Sequence, residues 1–237
     1  MKKRLQTILA HAGIASRRGA ITMIESGKVS VDGSVVREKG FRADPEESDI
    51  RVEGRALAGD EKKYYFLFNK PENVISTAID THDRKKVTDF FSDVDARLYP
   101  VGRLDKDTTG LLILTNDGDL AHKLTHPRFE VEKEYSALID DKISLDGIKR
   151  IATGVKIEGK MTTPCEVEYV KKTSEGYLYR IRIHEGMKRQ IRRMFFEVGG
   201  NVLRLKRLKF AGLSLRGVQE GQRRDLTDKE IERLKAL

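Results

Sequence analysis

The chain has very little cysteine: Cys165 is the only one in 237 residues. A lone thiol excludes an internal disulfide, which fits a reducing compartment and predicts a cytoplasmic protein. Cys165 follows Pro164 in a polar stretch and reads as inert. Long apolar runs are also missing. None approaches the roughly 20 residues that a membrane-spanning helix needs, so no membrane partner is expected. The opening "MKKRLQTILAHAG" has a basic end, but Gln6, Thr7 and His11 soon interrupt it, so it reads as an amphipathic helix and not as a signal peptide. Neither a Walker loop nor a dinucleotide fingerprint is present. His122 and His126 are four apart, but Pro127 follows at once and no third ligand is evident, so no metal site is expected.

Charge, by contrast, is abundant. Lys and Arg number 46 against 37 Asp and Glu, a formal net charge of +9. That balance points to a polyanionic partner, although a basic soluble protein with no such partner has the same composition. The length suffices for one large domain or two smaller ones.

The front of the chain reads as a small basic module. Leu5, Ile8, Leu9 and Ala12 make one apolar helical stripe over residues 4–12, ended by Gly13. Ser16 suits the N-cap of a second helix with Ala20, Met23 and Ile24 inward, stopped by Gly27. "KVSVDGSVV" carries a hairpin turn at Asp32 and Gly33, and "DIRVEG" adds a short strand. Arg17 and Arg18 stand in the first helical turn, where cations oppose the helix dipole. A bound phosphate would relieve that conflict, and plain solvation would leave it. "EGRALAGDEKK" at 53–63 has no periodicity, and its middle reads as a linker. This gives domains at 1–60 and 63–237.

The larger domain reads as α+β with a mostly antiparallel sheet, because strands outnumber the helices between them. "YYFLFNKP" and "LLILT" are buried strands. "GDLAHKLTHP" is a short helix capped by Asp119, and "VEKEYSALI", "EVEYVKK" and "YLYRIRIHEG" are further strands. "KRQIRRMFFEVGG" is a helix with Ile191, Met194, Phe195 and Val198 inward, "NVLRLKRLKFAG" is a basic strand, and "LTDKEIERLKAL" opens on a capping box. On that helical phase Arg192 and Lys188 flank the buried face, while Arg189 and Arg193 point away from it.

Four aspartates crowd "VGRLDKDTTGLLILTNDGD". Asp117 and Asp119 lie in turn and cap chemistry, and Asp107 can be read the same way. Asp105, beside Arg103 and Lys106 at the mouth of a core strand, is either one more turn residue or a reagent on a rigidly held loop.

The front arrangement, with "ASRRGAITMIESGKVSVDG", resembles the small RNA-binding domain named after ribosomal protein S4. That resemblance implies RNA contacts at Arg4, Arg17, Arg18 and Lys28. "YPVGRLDKDTTGLLILTNDG", "EKEYSALI" and "IHEGMKRQIRRMF" resemble, in order, three motifs of the RsuA-type ribosomal RNA pseudouridine synthases, and "LAHAGIASRR" is most like the RluB subgroup, which acts on large-subunit (23S) rRNA. The resemblance implies isomerisation of one uridine without a cofactor, by a monomer acting on ribosomal RNA or on an assembly intermediate. A small-subunit target or a non-catalytic assembly factor on the same fold are the alternatives. Within the resemblance the essential aspartate corresponds to Asp105, the second motif's tyrosine to Tyr135 and the third motif's arginine to Arg192. An arginine flanking the buried helix face could pair with Asp105 and keep it ionised. Arg103 would fill the space left by a flipped base or hold a phosphate, and Lys188, Arg189 and Arg193 would meet RNA.

Overall fold

Apolar residues at helical and alternating spacing form the buried cores. The computed structural model describes residues 1–57, 61–80 and 82–237. It contains two units, Met1–Tyr64 with Asn116–Gly118, and Tyr65–Thr115 with Asp119–Leu237. The middle of the predicted linker, residues 58–60, lies outside the described residues.

In the first unit, Leu5, Ile8 and Leu9 from the helix Leu5–His11 pack with Ala20 and Ile24 from the helix Arg17–Glu25 and with Val29, Val31 and Ile50 from the strands. The Ser16 hydroxyl caps the second helix by accepting from the Gly19 amide at 2.9 Å. Asp32 and Gly33, with φ of 50° and 80°, make the turn between the strands Val29–Val31 and Ser34–Val35. Both central residues are left-handed there, which matches the twist of a two-residue hairpin.

The second unit is built on one nine-stranded sheet. Along its main path the order is Glu166–Lys172, Tyr177–Ile183, Lys133–Ile139, Val202–Phe210, Thr108–Thr115, Tyr65–Lys70 and Arg223–Asp225. Every neighbour pair is antiparallel except one: Val202–Phe210 runs parallel to Thr108–Thr115 over three residue pairs. That short joint unites two antiparallel halves. Beneath it Leu67, Leu111, Ile113, Leu120, Leu124 and Phe210 form a continuous core. The sheet and α+β class therefore agree with the sequence reading.

Two local readings change, and one helix went unread. The helix expected across "KRQIRRMFFEVGG" spans only Gln190–Phe196: Arg189, with a left-handed φ of 51°, moves the start two residues on to Gln190, and the helix ends at the C-cap Glu197. The helix Leu145–Thr153 has no counterpart in the sequence reading, although Leu145, Ile148, Ile151 and Ala152 recur at helical spacing and the Ser144 hydroxyl, accepting from the Gly147 amide, marks its start. Asp119 lies inside the first turn of the helix Gly118–Thr125 and not at its cap; there its charge still suits the positive end of the helix.

Gly110 makes the parallel joint feasible. Its φ is +106°, and a Cβ there would stand 2.3 Å from the Arg207 carbonyl oxygen and 2.7 Å from the Arg207 amide nitrogen. Both neighbours are backbone and cannot step aside. Gly110→Ala should therefore destabilise the second unit by about 3 kcal/mol or more, through clash and strain together. Gly33→Ala, at a similarly left-handed residue with nothing within 4 Å, should cost only about 1 kcal/mol. Urea denaturation of the two variants checks the contrast, and equal losses would contradict it.

Candidate active site

The chain leaves the strand Tyr99–Val101, turns at Gly102 (φ 72°) and enters Thr108–Thr115. The residues between form a loop that is fixed on both sides of Asp105. On one side, the Leu104 amide donates to the Ser76 hydroxyl at 3.1 Å, and that hydroxyl donates to the Leu104 carbonyl at 2.8 Å. On the other, the Lys106 carbonyl accepts from the Asn73 amide at 2.9 Å and from the Lys70 ammonium at 3.4 Å. Lys70 is fully buried and also donates to the carbonyls of Pro71 at 2.9 Å and Val74 at 2.7 Å. Burial pushes its ammonium down to about 8, against the pull of the Asp107 and Asp105 charges. The backbone of the loop is thus set by buried hydrogen bonds, while the Asp105 side chain remains 35% exposed.

Asp105 opens into a cavity of about 890 Å³ whose walls include Arg103, Tyr135, Lys188 and Arg189. Among the described residues its carboxylate has one charged neighbour within 4 Å, Arg189 Nη1 at 4.0 Å, and accepts no hydrogen bond. Tyr135 is buried to 7% exposure on the strand Lys133–Ile139, directly opposite Arg207. Arg103, Lys188 and Arg189 are exposed around the cavity.

Asp107 is more than turn chemistry. Its carboxylate lies 3.1 Å from Arg192 Nη2 and 3.2 Å from Arg189 Nη2, and Arg192 Nη2 also donates to the Asp107 carbonyl at 3.0 Å. Burial would raise the Asp107 carboxyl, but the hydrogen bond from Arg189 and the charges of both arginines outweigh it and hold the group below the usual carboxylate range. The arginine assignments change accordingly. Arg192 pairs with Asp107 and not with Asp105, and its Nη1 is tied to the Val202 carbonyl at 2.8 Å. Arg189 turns toward the two aspartates, because it precedes the helix and helical phase does not govern its direction. Arg193 is half-buried and pairs with Glu158 at 2.8 Å, so it does not point freely outward.

In the first unit Arg4, Arg17 and Arg18 are exposed, as the sequence reading requires. Lys28 is engaged by Glu53 at 2.8 Å across an exposed pair, an attachment weak enough to exchange for another anion. The His122 and His126 rings lie 4.9 Å apart, and among the described residues no cluster of three metal-ligating side chains exists. No helix among them is long and apolar enough to cross a membrane.

Two family models match the chain: RNA pseudouridylate synthase over residues 64–197 and the S4 domain over residues 3–49. A Bacillus subtilis protein named ribosomal large subunit pseudouridine synthase B is 43% identical over 237 residues, covering 99% of this chain and 96% of that one. A Salmonella typhi protein named dual-specificity RNA pseudouridine synthase RluF is 36% identical, covering 96% of this chain and 77% of its own. A crystal structure of a pseudouridylate synthase superposes with a TM-score of 0.70 at 30% identity, covering 98% of this chain and 99% of the other.

The two loop aspartates differ in what their removal exposes. Asp107→Asn takes the counter-charge from Arg192, whose side chain is only 12% exposed, and should destabilise the second unit by about 1–2 kcal/mol. Asp105→Asn breaks no hydrogen bond among the described residues and should change stability by less than about 0.5 kcal/mol. Paired urea titrations measure both; a larger loss in Asp105→Asn would show that the partners are wrongly assigned.

Proposed function

The chain belongs to the RNA pseudouridylate synthase family, and from that premise we propose that it converts one uridine of large-subunit ribosomal RNA to pseudouridine, with Asp105 as the catalytic carboxylate. The observation that carries the assignment of Asp105 is the contrast within its loop. Asp107 is occupied by two arginines, whereas Asp105 is held in place by its backbone and keeps its carboxylate uncommitted in the cavity. The large-subunit target is supported by the name of the Bacillus subtilis relative and its near-complete coverage. Residues 1–60 would hold the RNA and residues 63–237 carry out the reaction, in a cytoplasmic monomer acting on ribosomal RNA or an assembly intermediate.

The reaction detaches uracil from C1′ of the ribose, turns the ring, and joins C1′ to ring carbon C5. Asp105 either attacks C1′ as a nucleophile or takes a sugar proton to start elimination. Both routes need an ionised carboxylate near the sugar. Arg189, the closest cation at 4.0 Å, faces the carboxylate without occupying it in a tight pair. The target base must leave its stack to enter the cavity. Arg103, exposed at the cavity wall, is placed to fill the vacated position or hold a flanking phosphate. Tyr135 offers its ring face to the flipped base and a hydroxyl for late proton transfer. Arg192 acts one step away: it fixes Asp107 and the backbone that follows Asp105.

Two outcomes are expected. Purified Asp105→Asn should bind rRNA within about twofold of wild type and show no detectable conversion under single-turnover conditions, because only the reactive carboxylate is lost. Conversion at the wild-type rate would refute the assignment. Replacing Arg17 and Arg18 together with Ala should weaken rRNA binding and make its salt dependence shallower by about 1–2 in slope, since up to two phosphates lose their counter-charges. Affinity titrations at several salt concentrations read this directly, and an unchanged slope would remove the front module from substrate binding.

A further inference from the structure

Two cations of the cavity have no part in that account. Lys133 and Arg207 stand on the same face of the sheet as Tyr135: Tyr135 is opposite Arg207, and a register shift that passes over Leu208 brings Lys133 opposite Phe210. Arg207 is only 2% exposed. Its Nε donates to the Leu111 carbonyl at 2.6 Å, but its Nη2 has no acceptor among the described residues, and no carboxylate there forms an ion pair with it. Its guanidinium lies 4.7 Å from the centre of the Phe210 ring. The Lys133 ammonium lies 5.9 Å from that same ring centre and is held by carbonyls, Val131 at 2.8 Å and His184 at 3.3 Å. Burial pushes this ammonium down to about 8, and the Arg207 charge adds to the fall while Glu185 opposes it.

A buried guanidinium without a carboxylate, beside a second cation, is costly to maintain. The cost is understandable where negative charge arrives during the reaction. The cavity around the pair also includes apolar Val131 and Phe210, which suits a flat ring better than a hydrated phosphate. We propose that Lys133 and Arg207 hold the negative charge of the uracil ring while it is detached from the sugar, a role that rests on the function proposed above. When the N1–C1′ bond breaks, its electron pair stays on the ring, spread over N1, O2 and O4, whichever way Asp105 acts. The charge persists until C5 bonds to C1′; the proton then lost from C5 is matched by one gained at N1, so nothing is oxidised and nothing leaves. The uridine enters neutral, so the two cations bind the separated ring more strongly than the substrate, which is the condition for lowering the barrier and not merely tightening binding.

The test varies the ring as well as the protein. Lys133→Met, Arg207→Met and Arg207→Lys are compared with wild type on an rRNA fragment that wild type converts, carrying either uridine or 5-fluorouridine at the target position. The reaction is followed under single-turnover conditions as loss of the starting nucleoside, because fluorine at C5 blocks the final deprotonation. Fluorine stabilises the ring anion and lessens its need for external cations. Lys133→Met should therefore lose about 100-fold with uridine but at least fivefold less than that with 5-fluorouridine, with RNA affinity within about threefold. Arg207→Lys should retain more activity than Arg207→Met. If Arg207→Met does not fold, Lys133→Met carries the comparison alone. Equal fold-losses on the two nucleosides would assign Lys133 a merely structural role and overturn the proposal. A wild-type protein that converts no rRNA would instead refute the function on which it rests.

Discussion

A buried ammonium that gives its hydrogen bonds to backbone carbonyls governs the geometry of the site. Lys70 gives its hydrogen bonds to the carbonyls of Pro71, Val74 and Lys106, and so ties the turn after one core strand to the loop before another. An ammonium in an apolar interior is tolerable only when its donors are satisfied. The carbonyls that satisfy it cannot drift without leaving a charge unsolvated, so the loop is held by a penalty on movement as well as by attraction. Ser76 completes the restraint by bonding both the amide and the carbonyl of Leu104. Asp105, between these anchors, needs no side-chain contact to stay in place, and its carboxylate is left available for chemistry.

The sheet determines what that carboxylate faces. The single parallel joint, between Val202–Phe210 and Thr108–Thr115, brings the start of the aspartate strand beside the middle of the basic strand. Through the neighbouring strand Lys133–Ile139, Tyr135 comes to the same wall. The joint closes only because Gly110 has no side chain. Charges are then sorted by partner: Asp107 absorbs Arg189 and Arg192, Glu158 absorbs Arg193, and buried Glu134 absorbs Arg182 and Lys209. Among the described residues lining the cavity, the Asp105 carboxylate accepts no hydrogen bond and the Nη2 of buried Arg207 finds no acceptor.

Much of this was legible in the sequence. The long strands announced themselves by alternation or apolar runs, the front helices by periodicity and the Ser16 cap, and the turn at Asp32 and Gly33 by its chemistry; the short strands Tyr99–Val101 and Arg223–Asp225 did not. The loop aspartates were visible, but telling Asp105 from Asp107 required the resemblance to a family, because spacing cannot say which carboxylate an arginine will reach. The helical-phase argument for Arg189 failed for a definite reason: one left-handed residue moved the helix start beyond it. The roles of Lys70, Lys133 and Arg207 were hidden because burial of a basic residue depends on pairing with distant strands, from Lys70 opposite Gly110 to Lys133 opposite Phe210, and local composition reads such residues as surface charge. Arg207 is the clearest case, since it sits in a strand whose other basic residues are largely exposed.

Asp105, and not its better-partnered neighbour Asp107, is the carboxylate we propose for the reaction. Chemical mapping of pseudouridine in the ribosomal RNA of cells lacking this protein, then supplied with wild type, Asp105→Asn or Asp107→Asn at matched levels, tests it most directly. One large-subunit position should lose its modification in the deleted cells. Wild type should restore it fully, Asp107→Asn at least partly, and Asp105→Asn not at all. Restoration by Asp105→Asn, or failure of Asp107→Asn alone, would contradict the account.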